Sequence, residues 1–302
     1  MPVPERINKN NMKVCGFSFL RNGVQYDYPF IQSFRSILPL CDKMIVAVGK
    51  SSDNTLEAVQ FIDPKISIIE TTWDDTKKEG GRVLALETDK AFQAIPPEFD
   101  WAFYIQGDEV VHEKYYPAIL DAMEKYKDNP EVDGLLFNYL HFFGSYNYVG
   151  SKYSWYRREI RVLKNNKDFF SYRDAQGFRK KPNEKLRVKL IDAFIYHYGW
   201  VRKPDSMQEK INANIHIYKG NNIKEHIKEM SKKVYDYNTA HQPVEIFTGT
   251  HPAIMKERIE EQNWGFQPDP SLKYASGKDR FKRIMFKYTH WYPGEYKNYK
   301  II

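Results

Sequence analysis

The sequence predicts an α/β fold built on a mixed, mostly parallel sheet flanked by helices. Four short apolar runs within residues 12–106 are typical of buried strands, and the stretches between them carry apolar residues at the three- and four-residue spacing of helices. Strands connected by helices form a doubly wound parallel sheet. With 302 residues, 42% of them hydrophobic and 16% aromatic, the chain is long enough to bury one large core or two modest ones.

The predicted strands and helices alternate in the first part of the chain. The strands are Met12–Phe19, Lys43–Val48, Ile66–Glu70 and Trp101–Gln106, and the helices between them are Tyr28–Leu40, Thr55–Ile62 and Gly81–Ile95.

Past Lys114 this alternation ends, and we expect the sheet to become mixed. A helix is predicted at Tyr115–Tyr126 and a strand at Asp133–Tyr139. Aromatic-rich and basic segments then run to about Trp200.

The last third of the chain is rich in lysine and mainly helical in pattern. Helices are predicted at Ser206–Tyr218 and Asn222–Tyr237, and a loop-like segment at Asn263–Asp279. We therefore predict a domain of residues 1–203 and a helical C-terminal extension of residues 204–302 that packs on it.

Charge and cysteine content limit the function classes. The formal charge of +7 favours polyanionic partners such as nucleotide diphosphates, lipopolysaccharide-like acceptors, anionic membrane surfaces or nucleic acid, although a merely basic surface is as common. Cys15 and Cys41 lie in apolar segments, so we expect neither a disulfide framework nor a cysteine zinc site. No segment reaches the roughly 18 apolar residues of a membrane span. These features predict a cytoplasmic protein. Peripheral contact with the inner face of the membrane is the alternative.

The segment Trp101–Glu113 carries the strongest functional signal. Its apolar run stops abruptly at Gln106-Gly107-Asp108-Glu109. Carboxylates at the end of a buried strand cost desolvation unless cations meet them, and open α/β sheets bind ligands at this edge. We therefore favour a metal or diphosphate site over a solvated strand end.

Two further turns follow predicted strands. Gly49–Thr55 is a polar turn before a helix, and Gly80-Gly81-Arg82 opens the next helix. Each can offer backbone amides to an anion, and Arg82 adds a guanidinium. Each is also explained by an ordinary capped turn or loop-to-helix transition.

Two residues later in the chain are candidates for chemistry. His197 lies among aromatic residues, where a histidine is more often a core residue than a ligand. If the sheet brings it near Asp108, the two side chains and a substrate diphosphate would complete a Mg²⁺ or Mn²⁺ site. Asp174, near Arg173 and Arg179, is either a general base kept ionised by its neighbours or a salt-bridged loop residue.

The order of these features resembles the family 2-type nucleotide-sugar glycosyltransferases of the GT-A fold, over about residues 12–203. The matching segments are FLRNG after the first strand, VGKSSDNT, the helix led by GGR, YIQGDE at the family's Asp-x-Asp position, and HYGWVRKP. The set is specific, whereas its members singly are not.

The resemblance implies transfer of a sugar from a nucleoside diphosphate donor to an acceptor hydroxyl, with inversion and with Mn²⁺ or Mg²⁺. It further implies a glycan or lipid-linked acceptor, as in synthesis of cell-surface polysaccharide or lipopolysaccharide. The implied roles are catalytic base for Asp174; metal ligands for Asp108 and His197; donor binding for Asn22, Gly49, Asp53, Gly81, Arg82, Gln106, Gly107 and Asp108; and acceptor binding for Trp200 and Arg202.

The chain departs from the family pattern at three positions, which keep other functions open. Gln106 replaces the first acid of Asp-x-Asp, Val48 replaces an aspartate that reads uracil, and Gly23 replaces an acid after the first strand. The nucleotide base is therefore open, and a non-catalytic relative that binds a nucleotide sugar is an alternative. A nucleic-acid-binding module is a weaker alternative, because the basic residues are scattered among acidic ones.

Overall fold

Four parallel strands form one side of the central sheet. A computed structural model describes residues 12–77, 79–152, 155–219, 234–269, 277–289, 294 and 296–302. The strands are β1 (Val14–Leu20), β2 (Lys43–Gly49), β3 (Ile66–Thr71) and β4 (Trp101–Tyr104), in the order β3-β2-β1-β4. They are connected by helices α1 (Phe30–Ile37), α2 (Thr55–Gln60) and α3 (Arg82–Gln93). The carboxyl ends of β1 and β4 therefore lie side by side.

The helices cover both faces of this parallel part. Phe34 of α1 and Val59 of α2 pack in one buried cluster with Val46 of β2, whereas Phe92 of α3 packs on the opposite face with Phe17 of β1. Strands that are covered on both faces have apolar residues at successive positions, because neighbouring side chains point to opposite faces. This double coverage explains the continuous apolar runs in the sequence.

The other side of the sheet is mixed. Its strands are β5 (Glu109–Val111), β6 (Gly134–Phe143), β7 (Ser145–Gly150), β8 (Arg158–Lys164), β9 (Phe169–Tyr172), β10 (Gly177–Lys180) and β11 (Glu184–Trp200). Strand β8 runs antiparallel between β4 and β6, while β11 is parallel to β6. Strand β5 pairs with the end of β11, next to His197.

The remaining elements are α4 (Tyr116–Tyr126), α5 (Pro204–Lys219), β12 (Val244–Ile246), α6 (Lys256–Glu260), α7 (Gly277–Thr289) and β13 (Tyr299–Ile301). Strand β12 pairs with β7, and β13 pairs with β11. Among the described residues, we find no helix that combines the length and the apolar character needed to cross a membrane.

The predicted fold class is confirmed, and the four N-terminal strands lie within two residues of their predicted ends. Strand β6 extends four residues beyond the predicted Tyr139, because its apolar pattern continues to Phe143. The aromatic-rich basic region proved to contain the long strand β11. Cys15 and Cys41 are buried free thiols.

The C-terminal extension agrees with the sequence prediction only in part. The first predicted helix, Ser206–Tyr218, corresponds to α5. Most of the second, Asn222–Tyr237, lies outside the described residues, as does 270–276 of the predicted loop segment. Besides its helices, this part of the chain contributes β12 and β13 to the sheet, and the sequence analysis did not predict these two strands. The division into residues 1–203 and 204–302 stays a prediction.

Gly134 marks a close approach between β6 and β8. A Cβ at this position would lie 2.7 Å from the carbonyl oxygen of Val162. We expect Gly134→Ala to lower the free energy of unfolding by about 1–3 kcal/mol, because backbone atoms would have to move. Gly265→Ala is the control, since its Cβ would meet no heavy atom within 4 Å. Equal stabilities of the two variants in urea denaturation would contradict this packing.

Candidate active site

A cavity of about 530 Å³ opens at the carboxyl ends of β1 and β4. Its wall includes Asn22 after β1, Trp73 after β3, and the turn Gln106–Asp108 after β4. Lys210 and Asn214 of α5 close the side toward the C-terminal region. The predicted donor residues Asn22, Gln106, Gly107 and Asp108 thus share one cavity.

The turn after β2 forms hydrogen bonds to the loop after β1, which carries Asn22. Asn22 adopts a left-handed conformation (φ 52°), its backbone N–H donates to Ser51 Oγ (3.0 Å), and its side-chain oxygen accepts from the Ser52 N–H (2.9 Å). Asp53 accepts from the Gln25 N–H at 2.6 Å. Asp53 therefore shapes the loop after β1 and is not among the residues that line the cavity.

Trp73 contributes an aromatic surface that the sequence analysis did not identify. Its indole packs against Gly49, where any Cβ would overlap the ring. The Arg21 guanidinium lies 5.1 Å from the ring centroid and donates to the Lys50 carbonyl (3.1 Å). Gly49 therefore makes room for Trp73, and the indole can offer a stacking surface to a ring in the cavity.

The two adjacent carboxylates of the β4–β5 turn have different environments. Glu109 is fully buried and forms a two-point ion pair with Arg161, at 2.9 Å from Nε and 2.7 Å from Nη2. It also accepts from Tyr139 Oη (2.9 Å) and from the Gln106 N–H (3.1 Å). Glu109, which was not among the predicted site residues, is thus satisfied by protein donors.

Gln106 links this turn to the turn that carries Asp174. Its side-chain amide donates to the Ala175 carbonyl (3.1 Å) and to Tyr104 Oη (3.1 Å). Arg161 Nη1 adds a second link, to the Gln176 carbonyl (3.1 Å). A carboxylate at position 106 could accept but not donate to a carbonyl. Gln106, which stands where the resembled family has its first acid, therefore has a structural role in connecting these two turns.

Asp174 lies at the tip of the turn between β9 and β10. The residues on either side, Arg173 (φ 56°) and Ala175 (φ 66°), are non-glycine residues in left-handed conformation, which costs free energy. Asp174 is half-buried and lines both the first cavity and a second one of about 800 Å³. A carboxylate shared by two neighbouring cavities is suitably placed for proton transfer between their occupants.

The second cavity contains the predicted donor residue Arg82. It is also lined by Asp89, Tyr172 and Arg173. Gly81, in left-handed conformation (φ 76°), is the residue before α3 and is buried. The structure thus separates Arg82 from Asp108, whereas the sequence analysis grouped both on the donor diphosphate.

A chain of hydrogen bonds fixes the proton positions of two buried histidines. Burial lowers the pKa of both His141 and His197, so both are neutral. His141 Nε2 lies 2.6 Å from the Tyr156 carbonyl, which can only accept, so this nitrogen carries the proton. His141 Nδ1 then accepts from His197 Nδ1 at 3.0 Å. His197 Nε2 is therefore left with a lone pair.

That lone pair points toward Asp108. His197 Nε2 lies 3.7 Å from Asp108 Oδ1, and Gly199 leaves space beside them, since a Cβ there would lie 2.5 Å from Nε2 and 2.8 Å from Asp108 Oδ2. Two acceptor atoms this close favour a cation between them. The condition that the sequence analysis set for a shared metal site, His197 close to Asp108, is thus met by the geometry.

The other oxygen of Asp108 faces two cations. Lys210 Nζ donates to Oδ2 at 3.1 Å, and Arg202 Nη2 lies 3.8 Å away. Burial by itself raises the pKa of Asp108, but the charges of Lys210 and Arg202 and the hydrogen bond from Lys210 outweigh it and hold the pKa well below its usual range. Asp108 is therefore ionised.

The two predicted acceptor residues lie elsewhere. Arg202 is fully buried and donates to the carbonyls of Tyr26 (2.6 Å) and Gly199 (3.0 Å). These two hydrogen bonds hold its guanidinium close to Asp108. Trp200 packs against Phe143, with ring centroids 6.0 Å apart. Neither residue lines either cavity.

Comparisons with known proteins give only distant similarities. No family profile matches the chain, and no curated protein does. Among solved structures, S. aureus TarS 1–349 is 12% identical with a TM-score of 0.39, over 73% of this chain and 69% of that one. The same protein in complex with UDP has a TM-score of 0.37. The 4-diphosphocytidyl-2C-methyl-D-erythritol synthase of Anaerococcus prevotii is 10% identical with a TM-score of 0.33, over 52% of this chain and 73% of that one. At this level the site's own chemistry has to indicate the function.

The buried ion pair yields a stability prediction. Glu109→Gln leaves the Arg161 charge buried without a counterion, so we expect a loss of about 3–5 kcal/mol in the free energy of unfolding. Glu131→Gln is the matched control, because Glu131 also pairs with an arginine, Arg187, at 2.6 Å, but is 70% exposed. The control should cost less than about 1 kcal/mol. Similar losses in urea denaturation would contradict a structural role for Glu109.

Proposed function

We propose that this protein is a glycosyltransferase that moves a sugar from a nucleoside diphosphate donor to an acceptor hydroxyl. The observation that carries the proposal is the meeting of separate sequence segments at one sheet edge. Asn22, Gln106, Asp108 and Asp174 line one cavity, and His197 contacts Asp108. Asn22, Gln106, Asp108 and His197 come from three of the five segments on which the family resemblance rests, and Asp174 comes from the position expected for its base.

The donor fits the chemistry of the first cavity. The indole of Trp73 offers a stacking surface to the nucleoside, and Asn22 offers a polar edge beside it. The charges of Lys210 and Arg202 exceed the single charge of Asp108, so the site favours an anion such as a diphosphate. The nucleotide base stays open.

Mn²⁺ or Mg²⁺ is part of the proposal, and the residues present fit such an ion. Asp108 Oδ1 and the lone pair of His197 Nε2 would hold it, beside the space that Gly199 leaves. Among the described residues no group of three or more His, Cys, Asp or Glu side chains could hold a metal, so the remaining ligands would be water and donor oxygens, as is usual for Mg²⁺. When bound, the ion would neutralise charge on the departing diphosphate.

In the proposed reaction, Asp174 is the general base. Its carboxylate takes the proton of the acceptor hydroxyl as the acceptor oxygen forms a bond to the anomeric carbon. The bond from that carbon to the diphosphate breaks on the opposite face, which inverts the configuration. The side chain of Gln106, at the donor site, donates a hydrogen bond to the turn that holds Asp174. This hydrogen bond fixes the position of the base relative to the donor.

The acceptor and the cellular role are the least constrained parts of the proposal. A glycan or lipid-linked acceptor, a role in cell-surface polysaccharide or lipopolysaccharide synthesis, and a location in the cytoplasm or at the inner membrane face stay predictions. A non-catalytic nucleotide-sugar-binding relative would bind a nucleoside diphosphate without turning over any donor. A nucleic-acid-binding module would instead bind single strands with a steep salt dependence.

Asp174→Asn tests the assignment of the base. The amide cannot accept the acceptor's proton, so we expect kcat to fall by about 10²–10⁴ while donor affinity is kept. Asp168→Asn is the control, because Asp168 is exposed just before β9. Turnover is measured as release of nucleoside diphosphate from a panel of donors. Full activity of Asp174→Asn would rule out this role.

Gly199→Ala tests the metal site. We expect Mn²⁺ to increase the thermal shift that a nucleoside diphosphate produces in the wild-type protein, because ligands that bind the folded state raise the melting temperature. The added methyl group of Gly199→Ala should remove the Mn²⁺-dependent part, while Gly265→Ala keeps it. A wild-type shift that Mn²⁺ leaves unchanged would refute the metal assignment.

A further inference from the structure

Lys210 places a cation inside the candidate active site. It belongs to α5, outside the part of the chain that resembles the family, yet its side chain is only 11% exposed and lines the first cavity. Its Nζ donates to Asp108 Oδ2 (3.1 Å) and to the Gly199 carbonyl (2.8 Å). A lysine on a helix would ordinarily be a solvated surface residue.

The charges around Asp108 do not balance. Lys210 and Arg202 contribute two positive charges and Asp108 one negative charge. A positive charge in excess is costly at a buried position unless an anion meets it. The arrangement therefore indicates an anionic ligand next to these side chains.

Of the two cations, Lys210 is the one that can reach such a ligand. Arg202 is fully buried, and its guanidinium is held by the carbonyls of Tyr26 and Gly199. Lys210 lines the cavity, and its ammonium group has three N–H donors for the two partners described above. It lies 5.1 Å from the centroid of the Tyr28 ring, which also lines the cavity.

We propose that Lys210 binds the diphosphate of the nucleotide donor directly. This inference rests on the proposed function, because it takes a nucleoside diphosphate as the ligand. The ammonium group of Lys210 contacts Asp108 Oδ2, whereas the metal position lies on the side of Oδ1. The contact between Lys210 and the diphosphate therefore does not need a divalent metal. Because Lys210 belongs to α5, the C-terminal extension completes the donor site.

The wild-type protein provides the first test. Uridine, cytidine, guanosine and adenosine diphosphates are titrated calorimetrically, each with its monophosphate, in EDTA and then in Mn²⁺. A charge-assisted contact with the second phosphate should make the diphosphate bind about tenfold more tightly than the monophosphate even in EDTA. Equal affinities for the two nucleotides in EDTA would overturn the inference.

Lys210→Met is the second test. We expect it to lower the diphosphate affinity about tenfold in EDTA while the monophosphate affinity changes little, so that the preference between them disappears. Lys210→Arg should keep much of the preference because it keeps the charge. Lys203→Met is the control, because Lys203 is an exposed lysine directly before α5. A preference that survives in Lys210→Met would overturn the inference.

The outcomes separate this inference from the proposed function. If no diphosphate binds with or without Mn²⁺, the proposed function fails and the inference fails with it. If the diphosphate binds but the preference is independent of Lys210, only the inference fails. If Lys210→Met does not fold, the wild-type comparison in EDTA and Lys210→Arg decide.

Discussion

The ion pair between Glu109 and Arg161 holds the candidate site together. Arg161 projects from β8 and binds Glu109 of the β4–β5 turn with two nitrogens and the Gln176 carbonyl with a third. The pair thereby joins the turn that presents Asp108 to the turn that presents Asp174. Buried charges of this kind are tolerated only when geometry and hydrogen bonding are nearly complete, which here requires Tyr139 and the Gln106 N–H as well. Separation of the two catalytic turns would leave these charges unsatisfied.

The two carboxylate oxygens of Asp108 have different neighbours. One oxygen faces the lone pair of His197, and the other faces Lys210. The tautomer of His197 is set by His141 and the Tyr156 carbonyl, at the far side of the ring from the cavity. The electrostatic character of the site therefore depends in part on His141, a buried residue that does not line the cavity.

Local sequence patterns predicted the parallel strands but not the partners of buried charges. Strands β1–β4 are continuous apolar runs because helices cover both faces, and that signal is present within each segment. The burial of Glu109 depends on Arg161, which is 52 residues away in sequence. Lys210 likewise acquires its role from Asp108, 102 residues earlier. The proximity of His197 to Asp108 was only a condition in the sequence analysis, because the pairing of β5 with the end of β11 cannot be read from either segment alone.

In the proposed reaction, the left-handed residues beside Asp174 have a kinetic consequence. A turn whose backbone is held in an unfavourable conformation by Gln106 and Arg161 has its carboxylate in place before any substrate arrives. Such preorganisation spares the reaction the energy of moving the base into position during each turnover. Any closure of the site around its substrates would then have to come from the opposite wall, where α5 carries Lys210 and Asn214.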